Sequence, residues 1–218
     1  MTNILKMVRL DLSMIKPYSK TLLIAFFAPV IIIYNTQDVI AGLVLYMSIM
    51  AMTSNYTFSI AEKNDLNRLY GLIPISKKDI VAGRYLFTAL TGIVAVMLGT
   101  AINILVLATT RKFDALEDTV AAIGAGLTLY FIFTAIQLPA YFKFGAIKGR
   151  FISFIPFLGM FLAGIIGQSV GPESLEKLPD LAVLNDAYVF LVVSILFDII
   201  VYGISMGIAQ KIYEKMEL

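Results

Sequence analysis

Asp198 is the residue best placed to do chemistry in this chain, because it is the only charge inside the long apolar run from Ala187 to Gln210. Tyr202, Ser205 and Ala209 follow it at spacings of four, three and four, so the carboxyl and two hydroxyls share one helical stripe. A charged side chain at the centre of a membrane helix costs about 2.5 to 3.5 kcal/mol on insertion scales, so it should face protein or water. Two uses fit such a carboxyl: relaying a proton or cation, or bridging helices through hydrogen bonds. Gly203 and Gly207 lie nearly opposite, spaced as a close-contact pair for another helix. Asn55, Gln137 and Asn103 place neutral polar side chains in other apolar runs. The chain has no His and no Cys, which removes the usual general base, thiolate catalysis and the commonest transition-metal ligands. Catalysis is therefore disfavoured, and neither a metal nor a cofactor is expected in this chain.

The elements that must position these groups appear as runs almost free of Lys, Arg, Asp and Glu, at 21–37, 39–61, 85–110, 119–142, 151–172 and 187–210. About 20 residues cross the hydrocarbon core, so the pattern predicts six transmembrane helices in an all-α integral membrane fold, one domain over 1–218. Composition agrees. Of the 218 residues, 59% are hydrophobic and 15% charged, against about 25% charged in soluble domains. In the third run, Thr88, Gly92, Ala95, Gly99 and Asn103 form a narrow face suited to helix packing. Gln137 beside Pro139 predicts a kink in the fourth.

Charge sorts by side. Fourteen of the seventeen Lys and Arg residues fall at the N-terminus, the second and fourth connections and the C-terminus, and eight of the fifteen acids fall in the other connections. The bias predicts cytoplasmic termini in a multi-pass plasma-membrane protein, and it accounts for the basic residues without nucleic acid. The acidic segment Gly171 to Asp186 reads either as a short helix on the outer surface or as a rim attracting cationic peptides.

Residues 1–20 carry Lys6, Arg9, Ser13, Lys16 and Lys20 on one helical face and Ile4, Val8, Leu12 and Ile15 on another, with Pro17 at the end. That is the pattern of an interfacial elbow helix lying along the headgroups. The connection 62–84 is more specific. Asn64 or Asp65 is placed to cap a short helix presenting Leu66, Leu69 and Tyr70, Gly71 and Pro74 break it, and Ser76 with Asp79 makes a capping box that restarts the chain. An exposed amphipathic helix held out on the cytoplasmic side is suited to a partner's groove.

These residues resemble the first cytoplasmic loop of ABC-2 type transporter permeases. The matching positions are Glu62, then Leu66, Arg68, Leu69 and Tyr70, then Ile73, Pro74, Ile75, Ser76, Lys77, Lys78, Asp79, Ile80, Val81, Gly83, Arg84 and Tyr85. The resemblance implies a coupling helix seated on a separate ATP-binding subunit, which binds ATP and Mg, in an assembly of two permeases and two ATPases. The short outer loops are similar to those of small bacterial permeases that export phenol-soluble modulins or antimicrobial peptides. The competing class is an ion- or proton-coupled secondary transporter or channel using Asp198. Replacing Leu69 and Tyr70 by Asp is expected to abolish association with an ATPase subunit in a co-purification assay, while the permease stays folded and inserted.

Overall fold

Two of the helices open on an aspartate whose side chain fills the donor positions that a helix start leaves bare. Asp38 accepts from the Ala41 N–H at 3.1 Å, and Asp186 accepts from Tyr188 at 2.8 Å and Val189 at 3.3 Å. The computed structural model describes residues 2–18, 30, 34, 38–66, 70, 75–110, 116–154, 158 and 186–216. Its elements are α1 (Asn3–Ile15), a 3-10 turn (Lys16–Tyr18), α2 (Val39–Met52), α3 (Ser54–Lys63), α4 (Lys77–Thr110), α5 (Leu116–Ser153) and α6 (Ala187–Glu214). Among the described residues all of these elements are helical.

Four segments are long and apolar enough to cross a membrane: Val39–Lys63, Lys77–Val106, Leu116–Gly149 and Ala187–Glu214. They correspond to the second, third, fourth and sixth expected spans. The expected spans 21–37 and 151–172 lie almost wholly outside the described residues. The second is not one smooth helix. It turns at Thr53, whose N–H and hydroxyl both donate to the Met50 carbonyl, at 3.0 and 2.6 Å.

The third helix starts at Lys77, eight residues before the apolar run does, because the Ser76 hydroxyl accepts from the Asp79 N–H at 3.0 Å and caps it. Its 34 residues make a rod about 51 Å long, so its first turns stand clear of a hydrocarbon core about 30 Å thick. In α5 the expected kink is displaced. Pro139 stays within helical geometry, and the break comes at Gly145, with φ 75° and ψ 177°. That combination is essentially restricted to glycine. At the end of α3, Asn64 donates from its side chain to Ile60 O at 2.8 Å, and Asp65 beyond it takes a φ of 53°.

α5 lies at the centre, packed by α2, α3, α4 and α6, while α1 lies along α4. The face of α4 carrying Thr88, Gly92, Ala95, Gly99 and Asn103 is the buried one. A Cβ at Gly92 would collide with the Tyr130 ring, and one at Gly99 with Leu43 and Tyr46. Large apolar residues such as Met97, Leu105, Ile199 and Ile204 point outward, as lipid-facing residues do. One core cluster gathers Met7, Phe58, Tyr70, Ile80, Tyr85, Tyr141 and Tyr213.

The joint between α1 and α4 is closest at Gly83, where an added Cβ would overlap Met7 Cβ and approach Ile4 O to 3.3 Å. Gly83→Ala is expected to destabilise the detergent-solubilised protein by about 1–3 kcal/mol through overpacking. Gly207→Ala serves as the control in the same thermal-unfolding measurement. Nothing described lies within 4 Å of a Cβ there, so its effect should stay within about 1 kcal/mol of neutral or be slightly stabilising.

Candidate functional site

The connection 62–84 is fastened at both ends. At its start, Glu62 reaches across to α5 and accepts the Ala146 N–H at 2.5 Å. This carboxylate caps the helical segment that restarts after the Gly145 break, and a Cβ at Gly145 would come within 3.0 Å of Glu62 Oε2. At its end, Lys77 Nζ donates to Glu214 O at 3.2 Å and Met216 O at 2.6 Å, so a cation meets the carbonyl end of α6. Lys78 and Glu214 add a solvent-exposed ion pair at 3.5 Å.

Two turns further along α4 lies Arg84, 3% exposed. Its Nε is 3.2 Å from Asp11 Oδ1 on α1, its guanidinium sits 4.6 Å from the Phe58 ring centroid on α3, and its Nη2 donates to Tyr70 Oη at 3.5 Å. A cavity of about 310 Å³ separates this cluster from α5, bounded by Glu62, Tyr70, Arg84, Lys143, Gly145 and Tyr213. Burial pushes the Asp11 carboxyl up to about 6, and the neighbouring Arg84 charge offsets only part of that rise.

Tyr70 corrects the sequence reading. It is buried at 3% exposure inside the core cluster with Phe58 and Tyr213, and Leu66 packs half-buried against the same cluster. The Tyr70 ring therefore belongs to the permease's own core and offers no surface to a partner. Arg68, Leu69 and Pro74 lie outside the described residues.

The intramembrane candidates separate into distinct roles. Ser205 Oγ donates to Ala135 O at 2.6 Å and accepts from Tyr85 Oη at 2.7 Å, and Tyr202 Oη donates to Tyr85 O at 2.9 Å. Both side chains pin α6 to its neighbours. Gln137 accepts from Ser54 Oγ at 3.2 Å, tying α5 to α3, and Asn55 accepts from Ser59 Oγ at 3.3 Å within α3. Asn103 is buried with neither amide atom hydrogen-bonded, and Asp198 is buried with neither carboxyl oxygen hydrogen-bonded. Gly92 and Gly99 sit at helix contacts, whereas nothing described packs on Gly203 or Gly207.

Helices long and apolar enough to cross a membrane are thus fastened to the connection that joins the first two described spans, the architecture of an integral membrane protein. A family model described as ABC-2 family transporter protein matches residues 6–214, and the chain belongs to that family. Its members are membrane components of transporters and generally work with an ATP-binding subunit. No curated relative and no solved structure matches the chain.

Asp11 and Tyr213 were not legible as site residues. Asp11 is one turn from Met7 and shares its buried face, but in sequence it reads as a solvated charge on a basic helix. Its raised titration sets the sign of a pH effect. The folded state holds the Asp11 proton more firmly than the unfolded chain does, so this contribution is full below about 3.8 and is lost as pH rises through about 6. Thermal stability of the solubilised protein should fall by an amount on the order of 3 kcal/mol over that window, and Asp11→Asn should flatten the profile. An unchanged profile in the variant would assign the effect to another group.

Proposed function

We propose that this chain is the permease subunit of an ATP-driven exporter in the bacterial plasma membrane, with both termini cytoplasmic. It works as a pair of permeases with two copies of a separate ATPase that binds ATP and Mg. Its cargo is an amphipathic molecule, a peptide of the phenol-soluble modulin or antimicrobial type. The observation that carries this reading is the fastening of the connection 62–84 to four of the described helices. Glu62 holds α5, Lys77 holds α6, and Arg84 holds α1 and α3. Force applied to that connection by a closing ATPase is thus delivered to the whole bundle. Family membership supports the same partner.

One observation favours a second reading, an ion- or proton-coupled carrier or channel: the Asp198 carboxyl is buried in a span without a hydrogen-bond partner. Two measurements separate them. Leu69→Asp should abolish co-purification with the ATPase encoded beside the permease and reduce ATP-dependent export at least tenfold, while the permease melts like wild type. Tyr70→Asp should lower the melting temperature instead, since Tyr70 is core. Export that persists without any ATPase, follows a pH gradient and stops in Asp198→Asn would replace the exporter reading with the carrier.

A further inference from the structure

Beside Asp198 the three helices α4, α5 and α6 leave a groove of about 450 Å³ within the span region, lined by Ala89, Ile93, Leu127, Phe131, Tyr202 and Met206. That volume falls in the range of about 300–1,000 Å³ typical of ligand pockets. The walls are apolar, and the one ionisable acid on them is Asp198, only 3% exposed. Its two oxygens accept no hydrogen bond. The hydroxyls on its own stripe cannot help, because Tyr202 Oη gives its proton to Tyr85 O and Ser205 Oγ gives its proton to Ala135 O. Thr128 approaches the carboxyl from α5, yet its hydroxyl too makes no hydrogen bond. The described groove residues include no Lys or Arg, and Arg84 is committed to Asp11.

An acceptor in this position lacks a complementary donor, and the surroundings specify which kind. The Tyr202 ring lies between Phe131, at 5.1 Å, and Tyr85, at 4.9 Å. Aromatic faces next to a carboxylate favour a positively charged centre, by attraction to the rings as well as to the acid. The remaining wall can bury only an apolar body.

We infer that this groove binds a cationic amphiphile, with an ammonium group beside Asp198 and the Tyr202 and Phe131 rings and an apolar chain along Ile93, Leu127 and Met206. This deepens the exporter reading by naming the charge of its cargo, but binding itself requires neither the ATPase nor transport. Gly203 supplies a way to close the groove. It lines the cavity, and a Cβ there meets nothing described within 4 Å, so the Gly203→Phe side chain starts without a clash at its Cβ and takes up groove volume.

The test is equilibrium binding of radiolabelled dodecyltrimethylammonium to the full chain in phosphatidylcholine nanodiscs. Saturable binding is expected, displaced at least tenfold more weakly by dodecanol than by unlabelled cation. Asp198→Asn should weaken binding at least tenfold while retaining the wild-type melting temperature, Asp198→Glu should restore most of it, and Gly203→Phe should abolish it. Equal displacement by dodecanol, or unaltered affinity in Asp198→Asn, overturns the inference. Absence of saturable binding also overturns it, as when lipid, a neighbouring copy or another segment of the chain fills the groove. Normal binding by a chain whose Leu69→Asp variant still associates with its ATPase would count against the docking reading and leave this one standing.

Discussion

A guanidinium withdrawn from water must be compensated where it lies, and the end of the bundle beside the connection 62–84 is arranged around that requirement at Arg84. An isolated buried charge costs several kcal/mol even after relaxation. The compensation comes from separate parts of the chain: a carboxyl from α1, an aromatic face from α3 and a phenol from the connection between α3 and α4. Each partner is recruited from a segment that local interactions alone would leave loosely attached. Asp11, for its part, is held in an environment that disfavours its charge, so neither member of the pair is comfortable without the other. Elements distant in sequence are thereby brought to one point beneath the connection 62–84.

Within the membrane a different economy holds. The bilayer offers no water to satisfy polar groups, so hydroxyls that would be idle on a soluble surface become interhelical ties. Tyr130 donates to Thr88 O at 2.7 Å, joining α5 to α4, and Tyr85, Tyr202 and Ser205 form a short relay linking α4, α5 and α6. Small residues on α4 admit the rings that reach these acceptors. Hydrogen-bonded aromatic side chains thus set the spacing of the helices, while the Asp198 carboxyl, the Thr128 hydroxyl and the Asn103 amide are buried without a hydrogen-bond partner.

How much of this was readable from the sequence depends on the range of the interactions involved. The apolar runs, the Ser76 cap and the small-residue face of α4 are local or periodic features, and four of the six expected spans have counterparts among the described residues. Family character was legible from the connection because its residues lie next to one another. Tyr70 was misread because its burial depends on a cluster that includes Tyr141 and Tyr213, far along the chain. Asp11 and Arg84 were invisible as a pair for the same reason, since two of the expected spans separate them in sequence. The α5 kink was assigned to Pro139 from local chemistry, whereas the break at Gly145 is answered by Glu62, from a different helix.

The unequal continuity of the two longest helices has a mechanical consequence. α4 runs from Lys77 to Thr110 without interruption, and for a rod about 51 Å long each degree of tilt imposed at its inner end carries the outer end by roughly 0.9 Å. α5 is jointed at Gly145, near its inner end, and transmits bending poorly past that point. The same push would therefore swing α4 while α5 flexed at its base and kept its membrane portion upright. Relative shear between a lever and a post, with no hinge inside the bilayer, opens and closes the space between them.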